Sequence, residues 1–231
     1  MRGLVPSRLQ PSSLLGEEEG VSGVRGSRER TPDIDLGSPG RCPKRPTLTV
    51  FDFDNSGSVC GIGGNDPIGR RFDEATLAVE AVGRRCRCRQ ELVAVTNFDT
   101  PNSGDVPPTP IRGGMAAIKQ GLRIPGDGGG SSNLGPSLES VERLVALYPN
   151  HLPIVVVLSD FELFDPDVPG VLDRLAAFPG LVHAVVLRSD PPERLVEDPR
   201  VDVTHISHGD PPGSLARAVF GALTRTRIKR K

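Results

Sequence analysis

Three short stretches carry oxygen donors in a pattern that could hold a cation. Asp54-Asn55-Ser56-Gly57-Ser58 reads D-x-S-x-S and sets a carboxylate beside two hydroxyls on a tight loop. Gly128-Gly129-Gly130-Ser131-Ser132-Asn133-Leu134 is a flexible approach that lets one serine hydroxyl, Ser132 or in the neighbouring register Ser131, reach the same point. Leu158-Ser159-Asp160 ends in a second carboxylate. Carboxylates, hydroxyls and water, without His or Cys, suit a hard cation. Small octahedral Mg²⁺ fits better than Zn²⁺, with Mn²⁺ as second choice. Taken singly, each stretch reads as a turn, because Asp, Asn, Ser and Gly favour turns for backbone reasons. Three turns need three separate explanations, whereas one shared metal site accounts for all of them.

The elements that must position these loops are legible in the hydrophobic pattern. Five short, β-branched apolar runs read as buried strands: residues 47–53, 91–98, 153–160, 182–188 and 201–207. Between them, helical spacing runs over residues 73–85, 134–148, 168–178 and 212–225, with a shorter stretch at 113–121. Alternating strands and helices, with strands apolar on both faces, predict a three-layer α/β/α Rossmann-like domain. Its central sheet should be mostly parallel, with helices on both faces and the ligand site beyond the strand carboxyl ends. D-x-S-x-S follows the first strand and L-S-D ends the third expected strand, so both motifs fall at those ends.

The chain has 231 residues, enough for one main domain. Residues 1–45 lack sustained periodicity and are expected to be a disordered extension, residues 46–224 the domain, and residues 225–231 a basic, solubilising tail. With 28 Lys and Arg against 29 Asp and Glu, no basic excess points to nucleic acid. No apolar run nears the about 18 residues of a membrane span, and the N-terminus lacks a signal-type apolar core, so a cytoplasmic protein is expected. Cys42, Cys60, Cys86 and Cys88 lack paired C-x-x-C spacing and read as free thiols. Arg84, Arg85, Arg87 and Arg89 read as a solvated helix end. His151, His183, His205 and His208 read as loop or edge residues, and no G-x-x-x-x-G-K-[ST] suggests a nucleotide site.

A strand ending in D-x-S-x-S, then a glycine-serine loop opening a helix, then a strand ending in L-S-D resembles the metal-ion-dependent adhesion site of von Willebrand factor A domains. The resemblance covers residues 46–224 in architecture. It implies that Ser56 and Ser58 ligate the metal directly, that Ser132 stands where the family usually has Thr, and that Asp54 and Asp160 act directly or through water. It also implies an Asp or Glu carboxylate from a protein partner completing the coordination shell, hence a protein-interaction adaptor rather than an enzyme. High Arg, Gly, Pro and Ala content adds the expectation of an intracellular bacterial member. Two departures stand out: Phe161 replaces the family's usual Gly after the third-strand Asp, and Glu162 follows it. Phe161 reads either as a rim residue or as an inward core residue, Glu162 as a contact or a solvated acid.

A rival reading resembles the haloacid dehalogenase phosphatases, through Asp52-Phe53-Asp54 and Val95-Thr96-Asn97. There Asp52 would be the nucleophile and Asp54 the general acid, with Thr96 on phosphate, Lys119 balancing charge, and Asp160 with Asp165 holding Mg²⁺. It leaves Ser58 and the Ser131-Ser132 loop without a role. A third reading keeps the fold as a metal-free scaffold.

Overall fold

In the computed structural model, which describes residues 34–66, 69–126 and 130–228, the apolar runs form one sheet. Its strands are β1 (Thr47–Phe53), β2 (Glu91–Asn97), β3 (Val106–Pro110), β4 (Leu152–Ser159), β5 (Leu181–Leu187) and β6 (Val201–Ile206), in the order β3-β2-β1-β4-β5-β6. Five strands are parallel, and β3 runs antiparallel to β2 at one edge. This edge strand is absent from the sequence reading because Pro107, Pro108 and Pro110 argue against a strand. Proline is tolerated at an edge, where a missing N–H breaks no second ladder.

Helices cover both faces. α2 (Arg70–Gly83), α3 (Ile111–Gly121) and α7 (Ser214–Thr224) pack on the face of Phe51, Phe53, Val95, Val156 and Leu158. α4 (Leu134–Ala146), α5 (Val168–Ala176) and the short α6 (Glu193–Val196) pack on the face of Leu48, Val50, Val155, Val157 and Ala184. Alternate residues of each central strand therefore go to opposite layers and leave little strand surface for water, the condition for a parallel sheet. The short α1 (Gly57–Cys60) opens directly off β1.

Two boundaries differ from expectation. The compact unit begins at Ile34, and Arg41 bridges Ile228 through N–H···O bonds of 3.0 and 3.2 Å. Arg227, expected in the solvated tail, is buried, because Glu91 supplies its counter-charge and Gly40 a carbonyl acceptor. Residues 1–33 of the expected extension, Gly128 and Gly129 of the glycine loop, and residues 229–231 lie outside the described residues.

Candidate metal centre

β1 delivers Asp54 to the carboxyl end of the sheet, where its N–H donates to Leu158 O at 3.0 Å and ties it to β4. Its carboxylate is turned inward: Oδ1 accepts the Ser56 N–H at 2.8 Å and Oδ2 the Ser159 hydroxyl at 2.6 Å. Ser56 is the N-cap of α1 yet makes no side-chain capping bond, so its hydroxyl is available for other work. It lies 3.0 Å from the Ser58 hydroxyl. Adjacent ligands of an octahedral Mg²⁺ at about 2.0–2.1 Å sit about 2.9 Å apart, so the two hydroxyls already have the spacing of one coordination edge.

The other two loops are fastened to the first. Gly130 N–H donates to Asn55 O at 2.9 Å, which brings the glycine-serine loop to the D-x-S-x-S loop. Ser132 O accepts the Phe164 N–H at 3.0 Å, and Asp165 accepts the N–H groups of Leu134 and Gly135 at 2.8 and 2.9 Å. Asp165 is thus the cap of α4. Ser132 is half-buried, while exposed Ser131 takes an N–H from Asn133 within its own turn. Asp160 accepts the Asn65 amide on Oδ2 at 2.9 Å and the Glu162 N–H on Oδ1 at 3.1 Å.

Asp54 and Asp160 are both almost fully buried, and among the described residues neither forms a salt bridge. Burial pushes the Asp54 carboxyl above its usual range; the bonds from Ser159 and Ser56 offset part of this, and the neighbouring Asp160 charge adds to it. Buried carboxylates without a counter-charge are costly, and a divalent cation held by them would supply one. The donor set, all oxygen with two neutral hydroxyls, suits such an ion.

Arg71 supports the loop from beneath, a role no motif announces. Its Nη2 donates to Asp54 O at 3.1 Å and Asn55 Oδ1 at 2.7 Å, its Nη1 to Asp66 Oδ2 at 2.8 Å, and its guanidinium lies 4.4 Å from the centre of the Phe72 ring. The only sequence signal is a charged residue on the apolar face of α2. Phe161 resolves as the inward alternative: it is buried in the core at φ 57°, a left-handed conformation in which glycine is the easy residue. Glu162 is exposed. Phe164 and Ile62, both strongly exposed, lie on loops that carry the candidate ligands.

Of the residues in the phosphatase reading, Asp52 and Thr96 meet, but inside the sheet, while Lys119 and Asp165 are engaged elsewhere. Asp52 is fully buried, its two oxygens accepting the hydroxyls of Thr96 at 2.9 Å and Ser137 at 2.8 Å. Lys119 pairs with Glu80 on α2, and Asp165 caps α4.

No protein-family model matches the sequence, and no curated protein matches it. Solved structures do. A von Willebrand factor type A protein from Catenulispora acidiphila superposes with a TM-score of 0.58 at 16% identity over 79% of this chain and 43% of its own. Proximal thread matrix protein 1 from the mussel byssus, with zinc in its MIDAS motif, gives 0.55 at 15% identity over 80% of this chain and 48% of its own. An aerotolerance-related membrane protein from Bacteroides fragilis, carrying multiple mutations to serine, gives 0.53 at 10% over 78% of this chain and 99% of its own. The chain therefore spans less than half of the first two. These likenesses establish its fold as the three-layer α/β/α architecture of von Willebrand factor A domains.

Proposed function

We propose that this chain is a metal-dependent protein-interaction module, an adaptor that grips an acidic residue of a partner through a Mg²⁺ ion, with Mn²⁺ as an alternative. Ser56, Ser58 and Ser132 ligate the ion, and Asp54 and Asp160 hold it directly or through water. The partner's Asp or Glu carboxylate completes the shell, because neutral hydroxyls leave the ion short of negative charge. The observation that carries this reading is the pair of buried carboxylates, without an ion pair among the described residues, on the loops that bring two hydroxyls to 3.0 Å of each other. Exposed Phe164 and Ile62 suit an apolar rim around such a contact. Among the described residues no helix is long and apolar enough to cross a membrane. The proposed setting is the bacterial cytoplasm, and the reading is non-enzymatic.

Calorimetric titration of Mg²⁺ and Mn²⁺ into the wild type, Ser58→Ala, Ser132→Ala and Asp52→Asn tests it. The two serine variants should lose binding by about tenfold or more, and Asp52→Asn should keep it. Loss confined to Asp52→Asn would favour the phosphatase. No binding by any form would favour the metal-free scaffold, and partner capture would then be indifferent to EDTA.

A further inference from the structure

At the opposite end of the sheet, three cysteines read as unrelated thiols come together. Cys42 lies before β1, Cys86 and Cys88 follow α2, and Glu91 opens β2. Cys86 Sγ is 3.9 Å from Cys42 Sγ and 3.7 Å from Cys88 Sγ, and Glu91 Oε2 is 3.2 Å from Cys86 Sγ and 3.5 Å from Cys88 Sγ. One donor atom from each of the four residues lies within 4.8 Å of every other. A tetrahedral zinc with Zn–S about 2.3 Å and Zn–O about 2.0–2.2 Å requires S···S edges of about 3.8 Å and S···O edges of about 3.5 Å. The four edges given lie close to these values, and the remaining two lie within 4.8 Å.

We infer that Cys42, Cys86, Cys88 and Glu91 form a structural Zn²⁺ site, chemically and spatially separate from the oxygen site at the other end of β1. Sulfur donors select a soft or borderline ion over Mg²⁺. Four protein ligands leave no open position for a substrate, which marks the site as structural. Arg227 donates Nε to Glu91 Oε1 at 2.8 Å and Nη2 to Oε2 at 2.6 Å, which fixes the carboxylate with Oε2 toward the sulfurs. Three thiolates and a carboxylate around Zn²⁺ carry two net negative charges, and Arg227 removes one. Arg41, Arg84, Arg85 and Arg87 line the surface pocket that reaches Cys42 and Cys88, so they supply further positive charge beside an entry path. Thr47 pairs with Glu91 in the sheet, and the D-x-S-x-S loop follows the seventh residue of β1, so the two sites stand roughly 20 Å apart.

The experiment uses the full chain, purified anaerobically with reductant, stripped with chelator and reloaded with Zn²⁺. About one tightly held zinc per chain is expected in the wild type, in Ser58→Ala and in Cys60→Ser, and under about a tenth in Cys88→Ser. Co²⁺ in place of zinc should give thiolate charge-transfer and intense tetrahedral d–d bands that Cys88→Ser lacks. Alkylation of the wild type followed by peptide mass spectrometry needs no variant. Zinc should protect Cys42, Cys86 and Cys88, with Cys60 as the unprotected reference. Zinc lost on Ser58→Ala but kept on Cys88→Ser would place the ion at the oxygen site and overturn the inference. So would reduced, folded wild type that binds no zinc, or equal alkylation of all four cysteines with and without it.

Discussion

Asp52 sits fully buried between two hydroxyls, and burial pushes its carboxyl up to about 7 despite the bonds from Ser137 and Thr96. A neutral Asp52 can donate to Ser137 Oγ, because that hydroxyl has a second acceptor in Leu134 O at 3.0 Å. The folded state therefore holds a proton that the unfolded chain releases near 3.8. Its contribution to stability is full below pH about 4, falls as pH rises and is gone above about 7, a span worth about 4 kcal/mol. In EDTA, Asp52→Asn, which mimics the neutral acid, should flatten the fall in melting temperature between pH 5 and about 8. A wild type whose profile matches the variant's would show Asp52 ionised throughout. Phe161 sets a different balance. Replacing it with Gly relieves about 1 kcal/mol of left-handed strain but removes a buried ring, so urea unfolding should show a net loss of about 2 kcal/mol. The sequence made Asp54, Ser56, Ser58 and Asp160 conspicuous because they lie on two short loops. It could not show Arg71 at work, since that role exists only once α2 packs beneath the loop.

Helices α4 and α7 start without a capping side chain of their own, and each takes one from elsewhere in the fold. Asp165, from the β4–α5 loop, caps α4, and Glu74, from α2, accepts the N–H groups of Gly213 and Ala216 at the start of α7. Each carboxylate satisfies donors that the helix cannot and complements its dipole, at about 1–2 kcal/mol. Asp165→Ala and Glu74→Ala should therefore destabilise by similar amounts in urea. Only Asp165→Ala should also weaken Mg²⁺, by severalfold in calorimetry, because α4 begins two residues after Ser132. Equal Mg²⁺ affinities would mean that the Gly130–Asn55 and Phe164–Ser132 backbone bonds hold the serine loop without the cap. Five strands and the main helices were legible because their patterns are local. Long-range caps carry no local signal, which is why Asp165 could be read as a metal ligand; α2, expected from Asp73, starts at Arg70, where Asp66 just upstream accepts the first N–H groups.

The whole domain is closed at its lower end by its termini, and that closure was invisible to a reading that works along the chain. Residues 34–45 read as part of a disordered extension, Arg227 as a solvated tail and Cys42 as a stray thiol, because their partners lie 44 to 188 residues away in sequence. Together they make a joint: the Arg41–Ile228 bridge, the Arg227–Glu91 pair beneath the Gly40 carbonyl, and Leu36 and Cys42 against the core. A chain starting at Ile34 should keep the full-length unfolding midpoint in urea. One starting at Pro46 should lose about 3 kcal/mol or more, from two backbone bonds, the carbonyl partners of a buried guanidinium and the apolar cover. Done in EDTA, the comparison isolates the joint from any bound metal. Equal midpoints for the two truncations would mean that this segment rests on the domain without holding it. The D-x-S-x-S loop lies at the far end of β1, so if it holds Mg²⁺ as proposed, the affinity of the Pro46 chain should fall only as far as its folded fraction falls.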